Sequence, residues 1–80
     1  MKWTGTKGRL GFATRNVRWV CDADFDGQYV VRHCLHPTAN YPWFTHTADG
    51  ELMTFRLLTQ AMDWVEDQLH RRMEDSDVST

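Results

Sequence analysis

The 80-residue chain has no apolar run of the roughly 18 residues that a membrane-spanning helix requires. Its N-terminus carries lysines but no apolar h-region, which removes the secretory-leader reading, and no membrane partner is expected. With only Cys21 and Cys34 there is no disulfide framework, so a reducing cytoplasm is the expected location. Internal repeats and low-complexity tracts are missing too. A net charge of −2 argues against a generic polyanion binder, which needs clustered positive charge. One local absence points the other way. Residues 1–20 hold Lys2, Lys7, Arg9, Arg15 and Arg18 without a single acid, whereas Asp22, Asp24 and Asp26 follow at once and the tail "EDSDVST" is acidic. This segregation keeps a nucleic-acid role for the N-terminal part open.

What is present is a large apolar payload for a short chain. Hydrophobic residues make up 41% and aromatics 12%, with four Trp and four Phe, so an ordinary core is feasible near the lower size limit of a self-sufficient domain. Residues 1–11 hold three of the five glycines and read as a flexible basic arm or an irregular first strand. Residues 12–73 read as one α+β domain, and 74–80 as a disordered acidic tail.

Two hairpins are expected. "NVRWVCDADFDGQYVVRHCL" is rich in β-branched and aromatic residues around Asp26-Gly27. A three-residue loop, Phe25-Asp26-Gly27, would set Trp19 opposite His33 and Cys21 opposite Val31. Val17, Trp19, Cys21, Ala23, Tyr29, Val31 and Leu35 would then share one face, with Arg18, Asp22, Arg32 and Cys34 largely on the other. In "WFTHTADGELMTF", a two-residue turn at Asp49-Gly50 would pair Thr47 with Leu52 and put Phe44, His46, Met53 and Phe55 on the core face. Between the hairpins, Pro37, Asn40 and Pro42 mark an exposed connection.

After Phe55 the apolar period changes from 2 to 3.6. Leu58, Ala61, Met62, Val65 and Leu69 form one helical face, with Asp63, Glu66, Asp67 and Arg71 opposite. Thr54 and Thr59 are candidate caps, and neither is followed at the third position by Glu or Gln. A twisted meander with Asp-Gly turns running into "FRLLTQAMDWVEDQL" resembles small phage and prophage sheet-plus-helix proteins of the anti-CRISPR type. The resemblance spans Trp19 to Leu69 and rests on Phe55, Leu58, Ala61, Met62, Trp64 and Val65, all core-type positions. Leu57 stands where such helices often start with Ser or Thr. The resemblance implies a fold and a phage-encoded inhibitor of a host defence nucleoprotein complex; it carries over no functional residue.

Chemistry is weakly signalled. His33, Cys34 and His36 are close in sequence, but strand alternation turns His33 away from the other two, and zinc wants three or four ligands. Cys21 is expected to face the core as a small hydrophobe, and a pair of Cys34 with a cross-strand His has no elbow, oxyanion nest or third group beside it to make a nucleophile. Gly5, Gly8 and Gly11 precede a strand, not the helix of a phosphate loop. Asp22, Asp24 and Asp26 at the hairpin end could form an acidic patch for a basic partner. Tyr41 and Trp43, beside Pro42, could be interface anchors.

The fold expected is therefore a four-stranded antiparallel β-meander with one C-terminal amphipathic helix packed on one face. The function expected is a non-enzymatic protein-binding module without cofactor, using Asp22, Asp24, Asp26, Tyr41 and Trp43 against a protein, for example a basic nucleoprotein complex. The alternatives are a small nucleic-acid-binding domain using the basic N-terminal segment, and a metal-binding protein at His33, Cys34 and His36.

Overall fold

A computed structural model describes residues 1–36 and 38–78, with side chains described through Arg72. The strands are β1 (Trp3–Leu10), β2 (Ala13–Cys21), β3 (Val31–His33), β4 (Trp43–His46) and β5 (Leu52–Phe55), followed by the helix α1 (Leu58–Val78). All pairings are antiparallel and the sheet order is the chain order. The α+β meander with a C-terminal helix is as expected; the strand count is five, not four. The helix carries through residues 74–78 of the expected tail, and residues 79 and 80 lie outside the described residues.

The additional strand is β1, and its glycines explain why it reads as an arm. Glycine inside a strand often marks a place where something lies close over the backbone. A Cβ on Gly5 would sit 2.9 Å from the Trp19 ring, and one on Gly8 would sit 2.4 Å from Val17 Cγ2. Side chains of β2 thus lie across bare backbone on β1. The register shifts between Thr6 and Lys7, because Thr6 pairs with Arg18 and Lys7 with Asn16. That bulge takes Val17 out of the core face and onto Gly8. Gly11 has φ +63° in the two-residue turn that joins Leu10 to Ala13, with Phe12 at the tip. A positive φ at the first turn position suits glycine alone without strain.

Both expected registers change. Trp19 pairs with Val31 and Arg18 with Arg32, so β2 and β3 are joined by residues 22–30, not by a tight loop at Gly27. This moves the pairing by two residues and keeps Trp19, Cys21 and Val31 on one face. In the second hairpin the loop is three residues long, Ala48-Asp49-Gly50. Thr47 N–H donates to Glu51 O at 2.8 Å, Gly50 N–H to Thr47 O at 2.9 Å, and Gly50 takes φ +87°. His46 then faces Leu52, and Trp43 faces Phe55. A one-residue change of this kind exchanges the faces. Trp43, Thr45, Met53 and Phe55 turn toward the helix, while Phe44 and His46 move to the opposite side.

The core consists of Cys21, Tyr29, Val31, Ala61, Val65 and Leu69, with Trp3, Trp19, Ala23, Trp43, Phe55, Leu58 and Trp64 packed around it. On α1, Ala61, Val65 and Leu69 recur every four residues and are fully buried, each larger one contributing about 1.5–3 kcal/mol. Met62 flanks this stripe and is half-buried. The Trp64 ring meets Tyr29 edge-on at 5.8 Å, and Trp3 Nε1 donates to Glu66 Oε1 at 3.0 Å, tying β1 to the helix. The helix start is half of a capping box: Gln60 Oε1 accepts the Leu57 N–H at 3.2 Å, with leucine in the place of the usual Ser or Thr.

Candidate functional site

The three aspartates of the acidic hairpin have three different surroundings. Asp24 is buried at 4% exposure and accepts the backbone N–H groups of Gln28 (3.1 Å) and Tyr29 (2.9 Å). It is the side chain around which residues 22–30 turn, and it is not on offer to a partner. Asp22 is exposed and accepts the Lys2 N–H at 3.0 Å, which, with the Cys21 thiol and the N-terminal charge, holds its carboxyl below the usual range. Asp26 is exposed and paired with Arg72 Nη2 at 2.8 Å.

The aromatic pair is divided as well. Trp43 is half-buried, belongs to the core surround and packs edge-on against His33 at 4.9 Å. Tyr41 is 62% exposed and lies on the other side of the sheet. There it lines an open, apolar dish of about 300 Å³ with Cys34, Phe44, Leu52 and Thr54. Cys34 N–H donates to Pro42 O at 2.8 Å, which extends the β3–β4 ladder by one rung through the only backbone group proline can offer.

His33, Cys34 and His36 do not converge. His33 Nδ1 accepts the Leu35 N–H at 2.9 Å beside Trp43, and burial pushes the imidazole below its ordinary value. Cys34 faces the dish, and His36 Nδ1 is hydrogen-bonded to Thr38 Oγ1 at 3.1 Å. Among the described residues, no three His, Cys, Asp or Glu side chains come together. Cys21 is the buried thiol; burial, followed by the Asp22 charge, raises its pKa.

What the sequence reading missed is on the open sheet face. The pairings Thr6–Arg18, Arg18–Arg32, Arg32–Phe44 and Phe44–Thr54 make one continuous row across all five strands. Arg18 and Arg32 are exposed, stand directly opposite each other and make no ion pair among the described residues. Phe44 follows them, edge-on to His46 at 6.2 Å. The signal for this row was the face shared by Arg18 and Arg32; the slipped second register hid Phe44 from it. The helix covers only the other face, and no helix of the described residues is long and apolar enough to cross a membrane. The chain matches no family model, no curated protein and no solved structure.

Proposed function

We propose that the chain is a non-enzymatic nucleic-acid-binding module and that its working surface is the open sheet face. The observation behind this reading is the opposition of Arg18 and Arg32. Like charges directly across a strand pair destabilise a sheet, and nothing in the core requires them there. An anionic polymer offsets the repulsion. Phe44 in the same row and Tyr41 beside it supply ring faces on which bases can stack, while Lys7, Arg9 and Arg15 extend the positive potential along the first hairpin. The net charge of −2 does not oppose this, because the acids lie elsewhere in the chain: 11 Asp and Glu, none before Asp22. A cytoplasmic location, where Cys34 stays a free thiol, accords with it.

Anisotropy of a labelled short oligothymidine, titrated between about 50 and 200 mM salt, tests the reading. The parent should bind with an affinity that falls steeply with salt. The double variant Arg18→Thr/Arg32→Thr should reduce the log–log slope by about 1.4, the contribution of two neutralised phosphates on a single strand. Phe44→Ala should lose about 1–3 kcal/mol. No binding at the lowest salt, or variants that bind like the parent, would overturn it.

A second reading is favoured by the apolar dish at Cys34, Tyr41, Phe44, Leu52 and Thr54. There the occupant is a protein, and the chain is the phage-type inhibitor of a host nucleoprotein complex that its sequence resembles. A protein retained by the parent and by Arg18→Thr/Arg32→Thr but lost by Tyr41→Ala would favour this reading over the first. Asp22 remains the acid of the original set free to meet a basic partner without giving up an ion pair.

A further inference from the structure

We infer that the far half of the β1–β2 hairpin, residues 7–16, is an arm that enters the groove of B-form DNA and wedges the Phe12 ring between bases. This rests on the nucleic-acid reading above and extends it from a single strand to a duplex. β3 pairs with β2 only at Arg18 and Trp19, so beyond the bulge the hairpin is a two-stranded ribbon with no third strand beside it. It belongs to a molecule measuring 50 × 21 × 18 Å. Lys7, Arg9 and Arg15 are all exposed on the ribbon, which has no acidic residue. At its tip Phe12 is fully exposed.

None of this serves the fold. A lone two-stranded ribbon is marginally stable in water, and a phenylalanine touching nothing adds no burial. Duplex DNA would use both features. The B-DNA major groove is about 12 Å wide and admits a two-stranded ribbon, whose strands lie about 4.8 Å apart. The segment from Lys7 to Leu10 spans about 13 Å at 3.3 Å per residue, enough to reach the floor of a groove about 8.5 Å deep. The deep, narrow major groove of A-form RNA excludes such an element. Cations on both strands of the ribbon suit the two phosphate ridges. An apolar side chain inserted between bases acts as a wedge that unstacks the step, most readily a flexible pyrimidine–purine step.

The test uses the full chain and two probes, the oligothymidine above and a short duplex with 2-aminopurine beside a central TA step. The parent should bind the duplex and raise the 2-aminopurine fluorescence as the step unstacks. Phe12→Ala should abolish that rise and weaken duplex binding about tenfold, the equivalent of one base–aromatic contact. Its melting temperature and oligothymidine affinity should stay those of the parent, and Phe12→Trp should restore the signal. Duplex binding without a fluorescence change, or equal binding by Phe12→Ala, overturns the inference. Binding of the single strand alone overturns it while the sheet-face reading stands, and binding of neither probe overturns both. Phe12-dependent sedimentation with phosphatidylserine vesicles, without duplex binding, also overturns it and assigns the ribbon to a membrane surface.

Discussion

On the helix side of the sheet Trp19 pairs with Val31; one residue along, on the open side, Arg18 pairs with Arg32. The next strand repeats the division, with Trp43 turned to the helix and Phe44 to the open face. The two rows share one backbone ladder and differ only in what covers them. On the covered side each residue is explained by burial: Val31, Thr45, Ala61 and Val65 have no exposed surface, and the aromatics interlock around them. On the open side two like charges stand directly opposite each other, an arrangement that in general destabilises a strand pair. Features that the fold does not need, and that cost it stability, are where function is to be sought.

The comparison breaks if the covered side tolerates truncation. Leu69→Ala removes a fully buried side chain from the end of the helical stripe and should cost roughly 2–5 kcal/mol. In a domain of this size each kcal/mol moves the melting temperature by about 4–8 °C, so differential scanning fluorimetry should show a loss of about 8 °C or more. A parental melting temperature would mean that the stripe is not the seam.

Asp24 separates loop architecture from partner surface. Asp24→Ala leaves the part-buried Gln28 and the buried Tyr29 N–H groups without their acceptor and should cost about 1–3 kcal/mol for the buried donor alone. Asp26→Ala, which removes one exposed ion pair, should cost about 0–1 kcal/mol. Equal urea midpoints for the two variants would show that residues 22–30 are not organised by Asp24.

A change of opposite sign sharpens the picture of the covered side. Thr45 is completely buried, and its hydroxyl has no hydrogen-bond partner among the described residues. Thr45→Val keeps the shape, removes the orphaned hydroxyl and should stabilise the protein by about 1 kcal/mol. A lower urea midpoint for Thr45→Val would show that the hydroxyl is satisfied in solution.

The open side should respond more weakly than the helical stripe and in the opposite sense to Leu69→Ala. Arg32→Thr relieves the like-charge opposition and should raise stability by about 0.2–1 kcal/mol at low salt, with the gain shrinking as salt rises. A loss of stability would mean that the arginine pair is structural.

The smallest effect is a pH dependence. Burial holds the His33 pKa below its ordinary 6.5, so on acidification the unfolded chain takes up the proton first. The contribution of His33 is fully present above 6.5 and is lost as pH falls through the lowered folded value. Urea midpoints between about pH 7.5 and pH 5 should fall more for the parent than for His33→Asn. Parallel pH profiles would place His33 in solvent.

Much of the fold was legible because it is written locally. The change of period at Phe55 shows a helix whatever the rest of the chain does, and Ala61, Val65 and Leu69 keep the face that their spacing assigns them. Cys21, Tyr29 and Val31 are likewise buried as the strand pattern implies. The candidate site was much less legible. Asp22, Asp24 and Asp26 look alike in sequence, yet one carries a loop, one pairs with the helix and one caps the first ladder. Tyr41 and Trp43, two residues apart, are separated by the sheet itself.

The sequence by itself determined the class of the segments from Ala13 to Leu69, strands where apolar residues alternate and one helix where they recur every three or four, and a basic first quarter free of acid; it left β1 and the last turns of the helix open. Tertiary structure alone decided which neighbour each strand residue meets. Alternation has a period of two, so a loop longer by a single residue, as at Ala48-Asp49-Gly50, exchanges the face of one strand relative to the other at almost no local energetic difference. Only the burial of Trp43, Thr45 and Phe55 beneath the helix selects between the two registers. That selection puts Phe44 into the row with Arg18 and Arg32.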